Sequence, residues 1–244
     1  MRYSRMGIVA MLIAAEAFIA GGIISQAAGI HPEHRTASDS HVFDAGAAPH
    51  VVVDDQDSRV IVTPSSDGRV HVTDLTHTLG FFWSNGPRRA LEASRTPDGV
   101  AVRRPGTKPI HFAVLFGFER DRIEVAVPEG AFVDLQGCDG ADVSGIKADS
   151  IAVNCQDGSL HVSDLDVRNG TLRTASGSIR LAIASSDVTV HAKTADGSLR
   201  FNGQRVHSDE DASEGTFQLG SGSGRLEVAT QDGGIRISTN GANR

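Results

Sequence analysis

The sequence predicts an all-β protein, a solenoid-like stack of short β-strand repeats preceded by one N-terminal transmembrane or signal helix. Three observations carry this expectation. An apolar run opens the chain, a short glycine-led motif recurs along it, and no segment after residue 30 shows a helical period.

Arg2 and Arg5 precede an apolar stretch from about Met6 to Ala28, which holds one charge, Glu16. A bilayer core needs ~20 apolar residues as helix, and this run is long enough. Basic residues ahead of it keep the N-terminus in the cytoplasm and place the rest outside. Two readings stand: an uncleaved anchor, or a signal peptide cut near Ser25-Gln26-Ala27, where small residues occupy the −3 and −1 positions. The apolar core exceeds the ~7–15 residues of a signal core, which favours the anchor. Residues 1–30 are therefore the anchor or signal, 31–40 a polar linker, and 41–240 the β-repeat domain. The localisation expected is the cell membrane, single-pass, with the β domain extracytoplasmic; signal cleavage would make it secreted or periplasmic.

The motif reads Asp157-Gly-Ser-Leu-His-Val162, Ser176-Gly-Ser-Ile-Arg-Leu181, Asp196-Gly-Ser-Leu-Arg-Phe201 and Asp232-Gly-Gly-Ile-Arg-Ile237, with an earlier copy at Asp67-Gly-Arg-Val-His-Val72. Asp-Gly supplies a turn, because Gly accepts positive φ and Asp caps the turn with its carboxylate. The residues that follow alternate, as a strand with one buried face does. Leu160, Val162, Ile179, Leu181, Leu199, Phe201, Ile235 and Ile237 are the inward positions. Gly215, Gly224 and Gly233 stand nine apart, a half-turn unit too short for a crossover helix. Such units bury a shared core only by stacking. Upstream, Val51–Val53, Val60–Val62 and Val70–Val72 read as an entry hairpin set. Residues 76–120 are irregular and rich in Phe, and 203–214 form an acidic loop.

Arg122-Ile-Glu-Val-Ala-Val-Pro-Glu-Gly130, then Val133-Asp-Leu135, then the repeats ending Asp-Gly-Ser-Leu-His-Val, resemble the bacterial putative-adhesin family of β-strand repeats, a domain of unknown function also called toastrack-like. The resemblance covers roughly residues 41–240. It implies an extracytoplasmic β-rich domain, often behind a membrane anchor, with no enzyme activity and no cofactor, and it brings no catalytic residues. The expected role is an adhesin-like or structural module of the envelope. An envelope-stress sensing scaffold and a β-helix glycan-active enzyme are the alternatives.

Composition narrows the partners. With 23 Lys+Arg against 30 Asp+Glu the chain lacks the basic balance of a nucleic-acid binder. Two Cys exclude a disulfide-stapled miniprotein and most zinc modules. The partners left are the membrane, through the N-terminal helix, and a surface glycan or an envelope protein. The sequence does not set an oligomeric state.

Three sets of side chains are candidate sites. His161, Arg180 and Arg200 take the outward position of successive repeats, so rungs stacked at ~4.8 Å would set them in a column that attracts an anion. A solvated face offset by Asp157 and Asp196 is the alternative. Asp157, Asp196 and Asp232 are too sparse for a calcium-binding β-roll and read as turn caps. Cys138 and Cys155, 17 apart, could meet on neighbouring rungs in an oxidising compartment, although a one-residue offset from the following Gly would turn them to opposite faces. Phe81, Phe82 and Trp83, with Phe112, Phe116 and Phe118, read either as a cap closing the stack or as a partner patch. His31 and His34 read as plain linker.

Overall fold

A computed structural model describes residues 30–56, 58–84, 89–106, 111–184, 187–206 and 213–239. Among them the regular elements are all strands: β1 (Ile30–Phe43), β2 (His50–Asp54), β3 (Arg59–Pro64), β4 (Val70–Ser84), β5 (Glu92–Thr96), β6 (Gly99–Arg103), β7 (His111–Val127), β8 (Phe132–Gln136), β9 (Asp139–Ser144), β10 (Lys147–Cys155), β11 (Asp157–Ser176), β12 (Ile179–Ile183), β13 (Val188–Asp196), β14 (Leu199–Phe201), β15 (Gln204–Arg205), β16 (Ser213–Leu219), β17 (Gly224–Asp232) and β18 (Ile235–Thr239). The expected membrane or signal helix lies outside the described residues. Among those residues no helix is long and apolar enough to cross a membrane. Residues 31–40, expected as a linker, form most of β1. A polar sequence pairs as well as an apolar one when the ladder bonds are backbone bonds.

The chain divides into two units. The larger takes Ala37–Leu75, Ala90–Pro105 and Asp121–Arg244; the smaller takes Met1–Thr36, Thr76–Arg89 and Gly106–Arg120. The larger unit is built from two walls of mostly parallel strands. The first wall runs β6-β2-β8-β10-β11-β17-β13. The second runs β7-β3-β9-β11-β12-β18-β14. Long β11 bends between them, giving its first half to the second wall and its second half to the first. Antiparallel strands flank the ends: β5 on β6, β16 on β13 and β15 on β14.

Strand alternation puts Val, Ile and Leu inward from both walls into one core, where Val60, Ile123, Leu160, Ile179, Leu199 and Ile237 have no exposed surface. Phe201 is the exception among the expected inward residues. It is only partly buried and stacks on Phe217, ring centroids 4.3 Å apart.

The walls are not stacked in chain order. The first rung, β2 with β3, sits between the β6–β7 rung and the β8–β9 rung. The last rung, β17 with β18, sits between the β11–β12 rung and the β13–β14 rung. The expected entry hairpins are therefore absent: β2 and β3 belong to different walls, and each pairs in parallel with strands far along the chain. The spacing of nine also resolves differently. Gly224 and Gly233 bound a true half-turn, whereas Gly215 lies in antiparallel β16.

One corner between the walls explains the recurring glycine. At Gly158, Gly177, Gly233 and Gly197 the chain passes so close to the rung below that a Cβ would strike its backbone. Gly177 and Gly233 also hold φ near +137° and +144°, where only glycine is at ease. Each carbonyl freed at this corner takes a buried hydroxyl: Thr174 Oγ1 donates to Gly158 O at 3.1 Å, Thr230 to Gly177 at 3.0 Å, Thr194 to Gly233 at 2.7 Å and Ser213 to Gly197 at 3.4 Å. These hydroxyl residues are themselves in register on adjacent strands, and Cys155 heads the same column.

Cys155 makes a disulfide with Cys138 across this corner, their Cα atoms 4.6 Å apart and both side chains buried. The offset argument fails here because Cys138 follows Gly137, whose φ of +74° breaks strand alternation. The aspartates of the motif behave differently from expectation as well. Asp196 and Asp232 give backbone carbonyls to the next glycine N–H, at 2.9 and 2.8 Å, and their carboxylates are exposed. Asp67 is a true cap, accepting from the Arg69 N–H at 3.1 Å.

At the other end of the stack Arg104 is buried with Asp55 and Asp74. It donates from Nε to Asp55 at 2.8 Å and from Nη2 to Asp74 at 2.6 Å. Burial pushes the Asp74 carboxyl up. Burial also opposes the Arg104 charge, but hydrogen bonding and attraction to Asp55 outweigh it. The triad ties the β2–β3 corner, β4 and the end of β6 together.

Replacing Thr194 by Val should cost about 1–2 kcal/mol, because it orphans the Gly233 carbonyl without changing side-chain volume much. Gly177→Ala should cost more, about 3 kcal/mol or above, since backbone rather than a side chain must move. Urea denaturation of the oxidised protein reads both, and the order of the two is the check.

Candidate functional site

The outer face of the second wall carries one continuous row of residues. From β7 to β14 the register gives Glu124, Ile61, Asp142, His161, Arg180, Arg236 and Arg200, and Arg205 of β15 pairs with Arg200. Backbone pairing sets the row, so its spacing is the inter-strand spacing of ~4.8 Å.

The two halves of the row differ. Asp142 accepts from Arg59 Nε at 2.6 Å and Nη2 at 2.7 Å, and His161 Nδ1 lies 3.3 Å from its Oδ1. The Arg59 hydrogen bonds hold the Asp142 carboxyl below the usual carboxylate range. That half is neutralised. Beyond it Arg180, Arg236, Arg200 and Arg205 are all exposed, and none forms an ion pair or side-chain hydrogen bond among the described residues. Two charges ~5 Å apart repel by ~0.8 kcal/mol even in water, so the four arginines favour a bound anion.

Elsewhere some surface charges are paired, within a strand or across two. Arg173 and Arg225 share Glu227 at 3.3 and 3.0 Å, Lys193 meets Glu214 at 3.6 Å, and Arg103 meets Glu92 at 3.4 Å. Among the described residues Arg95, Lys147 and Arg168 are exposed without such a partner as well, but the ladder differs in setting four cations side by side in register.

Small residues flank the ladder. Ser178, Gly234 and Ser198 precede the arginines in the three strands, and Ala182 and Ser238 lie two residues beyond Arg180 and Arg236. Ala182 and Ser238, with Ser144 and Ser163, line an open groove of about 360 Å³ beside Asp142, His161, Arg180 and Arg236. Arg180 and Arg236 border this groove, and the row continues past it through Arg200 to Arg205, a line of guanidiniums that suits a linear rather than a compact anion.

The structure brings His161 and Arg180 together, but Arg200 is two strands from Arg180, with Arg236 between. Arg236 carries the same motif position, yet chain order hides it, because the last rung inserts before β14. Glu227, in the weaker copy of the motif that starts at Gly224, belongs to the first wall. Asp157 and Asp196 are exposed and form no ion pair with the ladder among the described residues. His71 sits apart, 2.8 Å from Asp67.

The aromatic candidates fall in the smaller unit. Phe81 and Trp83 are half-buried, and Phe81 meets Phe116 edge-on at 5.4 Å. The side chains of Phe82 and Phe112 lie outside what the structure describes. None of the described ones belongs to the core of the stack. His31 and His34 also lie outside the described side chains, and among the described residues no three His, Cys, Asp or Glu gather to hold a metal ion.

The family model described as Toastrack DUF4097 matches residues 50–244. No curated protein matches the chain. Among solved structures, a putative cell adhesion protein from Clostridium sporogenes is similar at 11% identity and a TM-score of 0.58, over 84% of this chain and 100% of that one. A putative adhesin from Bacteroides fragilis aligns at 9% identity and a TM-score of 0.38, over 85% and 98%. The first of these likenesses supports the fold.

The Asp142 carboxyl gives a pH test. Its folded-state pKa is depressed, so its contribution is present above the unfolded value near ~3.9 and is lost as pH falls through the folded value. The pair is about one-third exposed, so the effect is under ~1 kcal/mol. Denaturation midpoints should fall more steeply below pH ~4 for the wild type than for Asp142→Asn, and equal slopes would contradict the assignment.

Proposed function

The chain belongs to the Toastrack DUF4097 family, and from that premise we propose that it is a non-enzymatic, adhesin-like module held at the outer face of the cell membrane by its N-terminal segment. Its second wall binds an anionic polymer of the cell surface, such as a sulfated or phosphorylated glycan. The observation that carries the reading is the ladder Arg180, Arg236, Arg200 and Arg205, four exposed guanidiniums without an acidic partner among the described residues, set on neighbouring strands in one register. A linear anion laid across the strands meets one guanidinium per rung, each able to take two oxygens of a sulfate or phosphate. The disulfide agrees with an oxidising compartment outside the cytoplasm. The cell-adhesion name of the Clostridium sporogenes structure agrees with a binding role.

The binding wall is tested with the full chain in detergent, titrated with heparin and with inorganic polyphosphate. Arg180→Gln with Arg236→Gln and Arg200→Gln should weaken binding at least ~10-fold and flatten its salt dependence, because each lost contact releases fewer counterions. Arg173→Gln, already paired to Glu227, should change little. Equal losses from both variants would mean charge alone, with no site.

Location is tested by alkaline carbonate washing and intact mass. Full-length chain in the membrane pellet fits the anchor. A soluble product starting near residue 28 means signal cleavage, and full-length chain in the cytosol removes the envelope role.

A further inference from the structure

We propose that the aromatic face of the smaller unit lies on the lipid surface beside the N-terminal segment, a proposal that rests on the anchor reading above. The unit draws on β1, β4 and β7, and β4 pairs with both of the others.

Strand direction places the face. Ser40 of β1 bonds Thr73 of β4 at 3.1 Å, while residues before 37 fall in one unit with residues after 75. That arrangement requires opposite strand directions. Hence Ile30, where β1 starts, lies at the same end as Trp83 and Ser84, where β4 stops. The apolar run ends at Ala28, two residues before Ile30. The chain therefore goes from the bilayer into the strand that reaches the aromatic end of β4.

The face itself reverses the usual burial pattern. On β4 it is Thr76, Thr78 and Gly80 that are buried, while Leu79 is 38% exposed and Phe81 and Trp83 are only half-buried. On β7 Phe116 and Phe118 are 60% and 46% exposed. The Phe81–Phe116 contact and the His77–Phe118 contact, at 5.4 and 5.3 Å, put the two strands' rings on one side. Burial within the chain does not account for apolar rings left open on one side of a ribbon, and such a patch marks an interaction surface. Trp83, with an apolar body and a polar N–H, is of the kind that settles at headgroup level, and the Phe rings beside it supply apolar surface for the acyl boundary. Lipid is the occupant that the path of the chain supplies.

Trp83 is the only Trp in the sequence, so its fluorescence reports on this face alone. The full chain is placed in phosphatidylcholine nanodiscs, one chain per disc, with or without bromine on the acyl chains near the glycerol. Emission should fall by roughly half in the brominated discs, and aqueous iodide should quench weakly. Phe116→Ser with Phe118→Ser should restore emission in brominated lipid and raise iodide quenching, with an unchanged far-UV spectrum. Equal emission in both lipids with full iodide access overturns the proposal. Protection from iodide without any effect of bromine points to a protein covering the face, and overturns it too. A chain that never enters the discs defeats the anchor reading and this proposal together; a chain that enters with Trp83 open to iodide defeats this proposal alone.

Discussion

The buried hydroxyl that reaches the corner glycine carbonyl is the contact on which the larger unit depends. Parallel strands need a sharp exit at the end of every half-turn, and each exit frees a carbonyl that no strand partner takes. Thr174, Thr230, Thr194 and Ser213 satisfy these carbonyls from inside the stack. Thr174 and Gly158 lie on the two arms of β11, whereas Thr230, Thr194 and Ser213 each reach the glycine of a neighbouring rung, so those bonds also set how far one strand slides on the next. A slip of one residue would turn the Val and Leu side chains of that strand out to water. Cys155 in the same column replaces the hydroxyl by a covalent link to Cys138.

The outer face inherits this precision. Arg180, Arg236 and Arg200 face one another because Ile179, Ile235 and Leu199 are held in register beneath them. No side-chain contact is needed to organise the row. The backbone spacing alone concentrates like charge, and the small residues beside it leave room for an extended anion. The neutralised half around Arg59, Asp142 and His161 ends the row on one side, so the wall has a charged segment of finite length.

The inward residues were legible because Leu160, Val162, Ile179, Leu181, Ile235 and Ile237 alternate within a motif that repeats. The arginine row was legible in part for the same reason. Its order was not, since alternation says which face a residue takes and nothing about which strand lies next to it. Arg236 shares a motif with Arg180 and Arg200, but only the pairing of β18 with both β12 and β14 puts it between them. The corner threonines did carry a signal, since Thr174, Thr194 and Thr230 each stand three residues before a motif glycine, as Cys155 does before Gly158, but a motif counted from the Asp or Ser onward leaves that position out. Residues 31–40 misled through composition, because backbone pairing asks little of the side chains. Asp196 and Asp232 misled in the opposite way: a carboxylate able to cap a turn has no such role when stacked backbone already fills the glycine N–H.

The insertion of the first and last rungs one place inside the stack changes how the molecule bears load. A linear array of repeats normally frays from its ends, because a terminal unit has a single neighbour to leave. Here the outermost positions belong to middle segments of the chain, and the two ends are each gripped from both sides. A tug on β2 or on β18 is therefore met by an interior rung, where two ladders of backbone bonds must shear together before the strand can peel. That arrangement turns the weakest points of a repeat array into its best-secured ones.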